Sequence, residues 1–207
     1  MIYQKTRRAI LTGLASLLGS FVVTRHARAA LPTPNAAEGP FYPTKTMRMA
    51  DTDNDLVKVV GLVRQAGGEI LTLKGKLMDL DGSPLAGLRI EIWQCDINGK
   101  YLHPGDRQSV SYDNGFQGFG HDITDDNGNY SFRTIVPAKY PGRTPHIHVK
   151  ILDNRRELLT TQFYLKNDPG NARDGLFRSM SKSQAASVSM ELRDGPDGRE
   201  TTVNVIV

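Results

Sequence analysis

The strongest constraint on this chain is a period of two that keeps returning between turn signals. In residues 70–78, Leu71, Leu73, Gly75 and Leu77 alternate with Thr72, Lys74, Lys76 and Met78; in residues 88–93, Leu88, Ile90 and Ile92 alternate with Arg89, Glu91 and Trp93. Successive side chains of a strand point to opposite faces, so each run reads as a strand with one apolar face. Residues 79–84 and the run Asp125-Asp126-Asn127-Gly128 supply turns, and further strand patterns cover residues 130–134, 146–152, 158–165 and 202–207. Glycine- and proline-rich loops at 103–120 and 136–145 separate them, while residues 30–54 read as an irregular arm and residues 167–187 are mixed, with room for a short helix. Many short strands and few helical periods predict an all-β fold: a β-sandwich with little helix and long loops at one rim.

Within residues 146–152 the apolar Ile147, Val149 and Ile151 alternate with His146, His148 and Lys150. The apolar set can face a core while both imidazoles project together, and neutral imidazole is the commonest side-chain metal ligand. No Asp or Glu lies between residues 139 and 152, so the two-histidine, one-carboxylate set of ferrous oxygenases has no nearby third member. Tyr101 and Tyr140 offer phenolate instead. A phenol with a pKa of about 10 ligates near neutral pH only where a strongly Lewis-acidic ion displaces its proton, a demand that ferric iron meets. Taken singly, each of these residues is ordinary: a strand His-x-His is commonly a surface pair, and a lone tyrosine packs with its hydroxyl in water.

The surrounding sequence changes that. From Glu38 onward, segments fall in the order seen in the intradiol ring-cleavage dioxygenases, the group that includes protocatechuate 3,4-dioxygenase and catechol 1,2-dioxygenase. They include Glu38-Gly39-Pro40-Phe41-Tyr42, Glu91-Ile92-Trp93-Gln94, Asn98-Gly99-Lys100-Tyr101 and Phe116-Gln117-Gly118-Phe119-Gly120. Thr134-Ile135-Val136-Pro137, Tyr140-Pro141-Gly142-Arg143-Thr144-Pro145-His146-Ile147-His148 and Thr161-Gln162-Phe163-Tyr164 follow. The resemblance runs from Glu38 onward and implies that residues 30–207 form one catalytic β-sandwich domain. The resemblance implies a non-haem ferric ion held by Tyr101, Tyr140, His146 and His148, with Tyr140 displaced by substrate. It further implies Arg143 and Gln162 as catalytic and substrate-lining residues, and Tyr42 as a substrate contact. The implied partners are a catechol-type molecule and dioxygen; the implied reaction opens the ring between the two hydroxyl-bearing carbons to a cis,cis-muconate-type diacid. Gly142 stands where the protocatechuate enzyme has Trp, which implies a roomier pocket and leaves catechol, protocatechuate, hydroxyquinol and larger lignin-derived catechols all open.

Residues 1–29 read as a removable export signal. Lys5, Arg7 and Arg8 precede a short apolar stretch at residues 9–23, and Ala27-Arg28-Ala29 offers a small-x-small cleavage site. The Arg7-Arg8 pair suits a twin-arginine route to the periplasm, with no retained anchor. Five of the 26 basic residues (Lys5, Arg7, Arg8, Arg25, Arg28) and no acid fall in this segment, which leaves 21 bases against 22 acids, a formal charge of −1. The electrostatic case for nucleic acid binding goes with the leader. Cys95 is the only cysteine, so no internal disulfide forms, and its place after Trp93-Gln94 reads as a buried thiol. A homo-oligomer is open, since nothing in the sequence sets the assembly state.

Two other readings use part of these features. The Asp79-to-Gly87 turn and residues 124–132 also resemble transthyretin-like and carboxypeptidase-regulatory-like binding modules, which would explain the frame without the tyrosines and histidines. Alternatively, His103 or His121 would join His146 and His148 in a metalloenzyme of another type.

Overall fold

A computed structural model describes residues 30–207, so the export signal expected at residues 1–29 lies outside the described residues. Ten strands and two short helices make two sheets. In the first, β1 (Ile70–Met78) pairs antiparallel with β4 (Asn129–Ile135), while β9 (Gly198–Thr202) and β10 (Val205–Ile206) run parallel to β1 in one register, and β8 (Arg193–Gly195) flanks β9. In the second the order is β3 (Phe119–Ile123), β2 (Arg89–Trp93), β5 (His146–Asp153), β6 (Arg156–Leu165) and β7 (Ser189–Met190). Between β6 and β7 lie α1 (Gly175–Arg178) and α2 (Lys182–Ser187).

Local chemistry closes the turns. Asp125 Oδ1 accepts from the backbone N–H of Asn127 and Asn129 ahead of β4, and Asn154 takes the left-handed conformation that the tight β5–β6 hairpin needs. The sheets meet over one core. Leu71, Leu73, Leu77, Tyr130 and Phe132 come from the first, and Ile90, Ile92, Ile147, Val149, Ile151 and Phe163 from the second, all buried. Each fully buried aliphatic side chain contributes about 1.5–3 kcal/mol relative to an exposed one.

The strands expected at residues 70–78, 88–93, 130–134, 146–152 and 158–165 are present as β1, β2, β4, β5 and β6. Three readings need correction. Residues 119–120 do not belong to the preceding loop but open β3, an edge strand held by pairing from Trp93–Phe119 to Arg89–Ile123. The single C-terminal strand expected at residues 202–207 is two, interrupted at Val203–Asn204 where Asn204 Oδ1 accepts from Lys76 N and replaces a ladder bond. The mixed segment holds two helices rather than one.

The second sheet has a covered outer face, and this places the site. The arm crosses the edge of the sandwich: Thr33 N donates to Ile206 O, Ala36 N to Thr160 O, and Gln162 Nε2 to Ala37 O. Its ion pair from Glu38 to buried Lys150 fastens it over β5. Strand β5, central and buried on both faces, therefore turns its isoleucines to the core and its histidines into a second, smaller cluster of Trp93, Cys95, Tyr101 and Phe119.

Candidate metal centre

Strand register assembles the outer-face side chains into rungs. Trp93 of β2 stands beside His148 of β5, which stands beside Gln162 of β6, and His146 pairs with Tyr164 one rung on. Trp93 and His148 stack with centroids 4.7 Å apart and planes 8° from parallel. His148 Nδ1 is buried without a hydrogen-bond partner, so that edge of the ring is held by stacking alone.

Loops bring the tyrosines. Residues 95–118 are scaffolded by three buried carboxylates. Asp96 accepts from the backbone N–H of Asn98, Lys100 and Asp113, Asp113 accepts from Gly67 and Gly115, and Asp106 Oδ2 accepts from Tyr101 N at 2.8 Å. Lys100 Nζ reaches the carbonyls of Asp106 and Gln108 and clamps the same turn. Gly99 is left-handed (φ +74°), and a Cβ there would stand 2.4 Å from Lys139 O, so the two tyrosine loops touch through a residue that must be glycine. Tyr140 opens a turn closed by Arg143 N donating to Tyr140 O, with Pro141 and Gly142 (φ +84°) at its middle positions. That is the pattern of a type II turn, in which the third residue needs a positive φ. Gly142 thus answers to backbone geometry, and a Cβ there would meet nothing within 4 Å.

The four proposed ligands converge. His146 Nδ1 lies 2.7 Å from the Thr144 carbonyl, which can only accept, so Nδ1 carries the proton and Nε2 presents its lone pair. His146 Nε2 is 3.1 Å from His148 Nε2, and His148 Nε2 is 3.2 Å from Tyr101 Oη. The Tyr140 ring packs 5.3 Å from Tyr101 and 5.4 Å from His146, centroid to centroid. Donors in cis positions on one cation, with bonds of about 2.1 Å, stand about 3 Å apart, so the spacing fits a shared metal ion. Among the described residues no group of three or more His, Cys, Asp or Glu could hold a metal, so a cation here depends on the phenols.

Electrostatics agree with the donor types. Burial, with Arg143 adding, lowers His146 to about 4, and burial with His146 and Arg143 nearby pushes His148 well below its usual range; both are neutral and ligand-ready at neutral pH. Burial raises Tyr101 well above 10 and raises half-buried Tyr140 as well, the latter opposed by Arg143. Phenols so placed keep their protons unless a strong Lewis acid displaces them.

Arg143 lies alongside. Its Nε donates to Asp174 Oδ2 at 2.7 Å and its Nη2 to Gln162 Oε1 at 2.7 Å, while Nη1 lies 3.5 Å from His146 Nε2. Gln162 Oε1 also accepts from Tyr164 Oη. Tyr42 is placed differently: its ring packs on Trp93 and Phe119, and its hydroxyl donates to Glu91 and accepts from Arg48. Its neighbour Phe41, which the sequence reading did not single out, stacks on Tyr101 at 4.6 Å and edges onto Tyr140 at 6.2 Å. His103 caps its own turn at Gly105 N, and His121 faces Thr52 O on β3, so neither joins the cluster. Cys95 is buried, and burial first, then Asp96, pushes its thiol up to about 12.

Residues 37–207 match the protein family described as Dioxygenase (Dioxygenase_C). The chain belongs to the intradiol ring-cleavage dioxygenase family. Among curated proteins it is 34% identical over 134 residues to the protocatechuate 3,4-dioxygenase beta chain of Burkholderia cepacia, covering 61% of this chain and 57% of that one. It is 31% identical over 123 residues to the catechol 1,2-dioxygenase of Candida albicans, covering 51% of this chain and 39% of that protein. The chain therefore spans little more than half the length of the first and well under half of the second. Among solved structures, the dioxygenase domain of a dioxygenase carbohydrate-binding protein fusion from Streptomyces sp. SirexAA-E is 33% identical. It superposes with a TM-score of 0.63 over 85% of this chain and 97% of that one. An intradiol ring-cleavage dioxygenase from Tetranychus urticae shares the fold at 22% identity, with a TM-score of 0.66.

Proposed function

We propose that this chain cleaves the ring of a catechol-type substrate between its two hydroxyl-bearing carbons with dioxygen, using a non-haem ferric ion held by Tyr101, Tyr140, His146 and His148. The supporting observation is that His148 Nε2 lies 3.1 Å from His146 Nε2 and 3.2 Å from Tyr101 Oη, with the Tyr140 ring packed on both Tyr101 and His146. When bound, ferric iron supplies Lewis acidity and an acceptor for electron density from a chelated catecholate.

The chain's own groups do the rest. Tyr140, more exposed than Tyr101, is the phenol placed to leave and to take up at its Oη a proton from an arriving catechol hydroxyl. Tyr140 would account for one of the two protons that a chelating catechol gives up, trading one anionic oxygen for another, and hydroxide from solvent would take the second. Arg143, fixed in charge and planar, faces the cluster through Nη1, where it stabilises anionic character developing on the ring. Phe41, Trp93 and the arm exclude water from the ligand rings.

The test is an oxygen-uptake screen of the iron-loaded protein against catechol, protocatechuate, hydroxyquinol and larger aryl-substituted catechols, with product spectra. Consumption of one dioxygen per ring and a muconate-type diacid are expected. Products of cleavage beside the hydroxyls would contradict the reading.

A further inference from the structure

Asp174 lies 31 residues from Arg143 in sequence, and its carboxylate is fully shielded from solvent. Its two oxygens have separate duties. Oδ1 caps α1 by accepting from the backbone N–H of Leu176 and Phe177, at 3.0 and 3.1 Å. Oδ2 accepts from Arg143 Nε at 2.7 Å and from the Thr144 N–H at 3.1 Å, so it grips the loop that leads into His146. With Nε held by Asp174 and Nη2 held by Gln162, the guanidinium plane is set by two contacts on two sides, and Nη1 is the corner left toward the histidines.

We infer that Asp174 is a positioning residue: it orients Arg143 toward the metal centre and supplies the buried countercharge that lets a guanidinium sit beside a cation site. This rests on the function proposed above. The physical case has two parts. An arginine side chain has many rotamers to lose, and a group that must stabilise developing charge works best when already oriented. A half-buried, unpaired guanidinium 3.5 Å from His146 Nε2 would also oppose metal binding, whereas its pair with buried Asp174 presents the site with a dipole.

Asp174→Asn separates the two duties. Asparagine caps a helix about as well as aspartate, but with its carbonyl on Leu176 and Phe177 its amide N–H groups face Arg143 and cannot accept from it. Asp174→Ser keeps a capping oxygen and removes the group facing Arg143. Both variants should fold and, loaded at saturating iron, keep the phenolate absorption of the wild type while kcat falls about tenfold or more, with a smaller change in KM; their affinity for iron should fall, because the guanidinium has lost its countercharge. Combined with Arg143→Ala, neither should lower kcat further, because Asp174 acts through Arg143. A kcat within twofold of wild type, or a loss that adds in full to that of Arg143→Ala, would overturn the assignment. A second readout needs no turnover. In the metal-free wild type the Arg143 Nε proton should be protected from solvent exchange in NMR spectra, and the protection should vanish in both Asp174 variants. An unprotected proton in the wild type would defeat the role of Asp174 whatever the substrate screen finds, whereas a screen without ring cleavage beside a protected proton would count against the function alone.

Discussion

The two halves of the proposed ligand set are held by different physics. His146 and His148 ride on β5, a central strand whose pairing with β2 and β6 fixes them in rungs and whose other face is anchored in the core by Ile147, Val149 and Ile151. Tyr101 and Tyr140 ride on loops with no ladder, held by buried carboxylates, a clamping lysine and the contact between Gly99 and Lys139. Sheet register positions the histidines at no extra cost, because the fold must form that register anyway. The tyrosines depend on a set of local hydrogen bonds that can fail while the sandwich stays folded.

The largest expected effect comes from the strand side. His146→Ala removes a ligand without touching the core face, so the fold should persist while iron affinity drops by more than about 100-fold, read as metal per chain after dialysis. Retention of one iron per chain would break the distinction, since the strand would then not be carrying a ligand. Next is the loop side. Gly99→Ala forces a Cβ against the Lys139 carbonyl at a left-handed position, costing about 1–3 kcal/mol, and should weaken the tyrosine-dependent absorption more than it lowers Tm. A spectrum unchanged from wild type would show that the loops do not need that contact.

Much of this was legible in the sequence because the determinant was local. A period of two marks β1, β2 and β5, and it put His146 and His148 on one face opposite three apolar residues. Strand β3 escaped because Gly120, His121 and Asp122 carry no alternation; its place is set by Trp93 and Arg89 on the neighbouring strand. Asp174 escaped for a similar reason. Its Asp-Gly-Leu-Phe context carries a helix-cap signal, but the partner that gives it meaning sits in another loop. Phe41 lay inside a recognised segment, yet only tertiary packing shows that it, rather than Tyr42, stacks on the ligand tyrosine.

The smallest expected effect is on acid stability without metal. The folded pKa of His146, lowered to about 4, lies below its unfolded value of about 6.5, so its contribution is complete above pH 6.5 and is lost as pH falls toward 4. His148 is lowered in the same direction. Metal-free wild type should therefore lose stability across that window more steeply than His146→Gln, as followed by chemical denaturation; equal slopes would show that the imidazoles are not held neutral by burial.

Strand and loop ligands must meet at one ion if this account holds, and visible absorption of the iron-loaded protein reads that meeting directly. A red-brown phenolate-to-iron band is expected, shifted or weakened by Tyr101→Phe and again by Tyr140→Phe. A colourless protein carrying stoichiometric zinc, or a band that neither substitution alters, would contradict it.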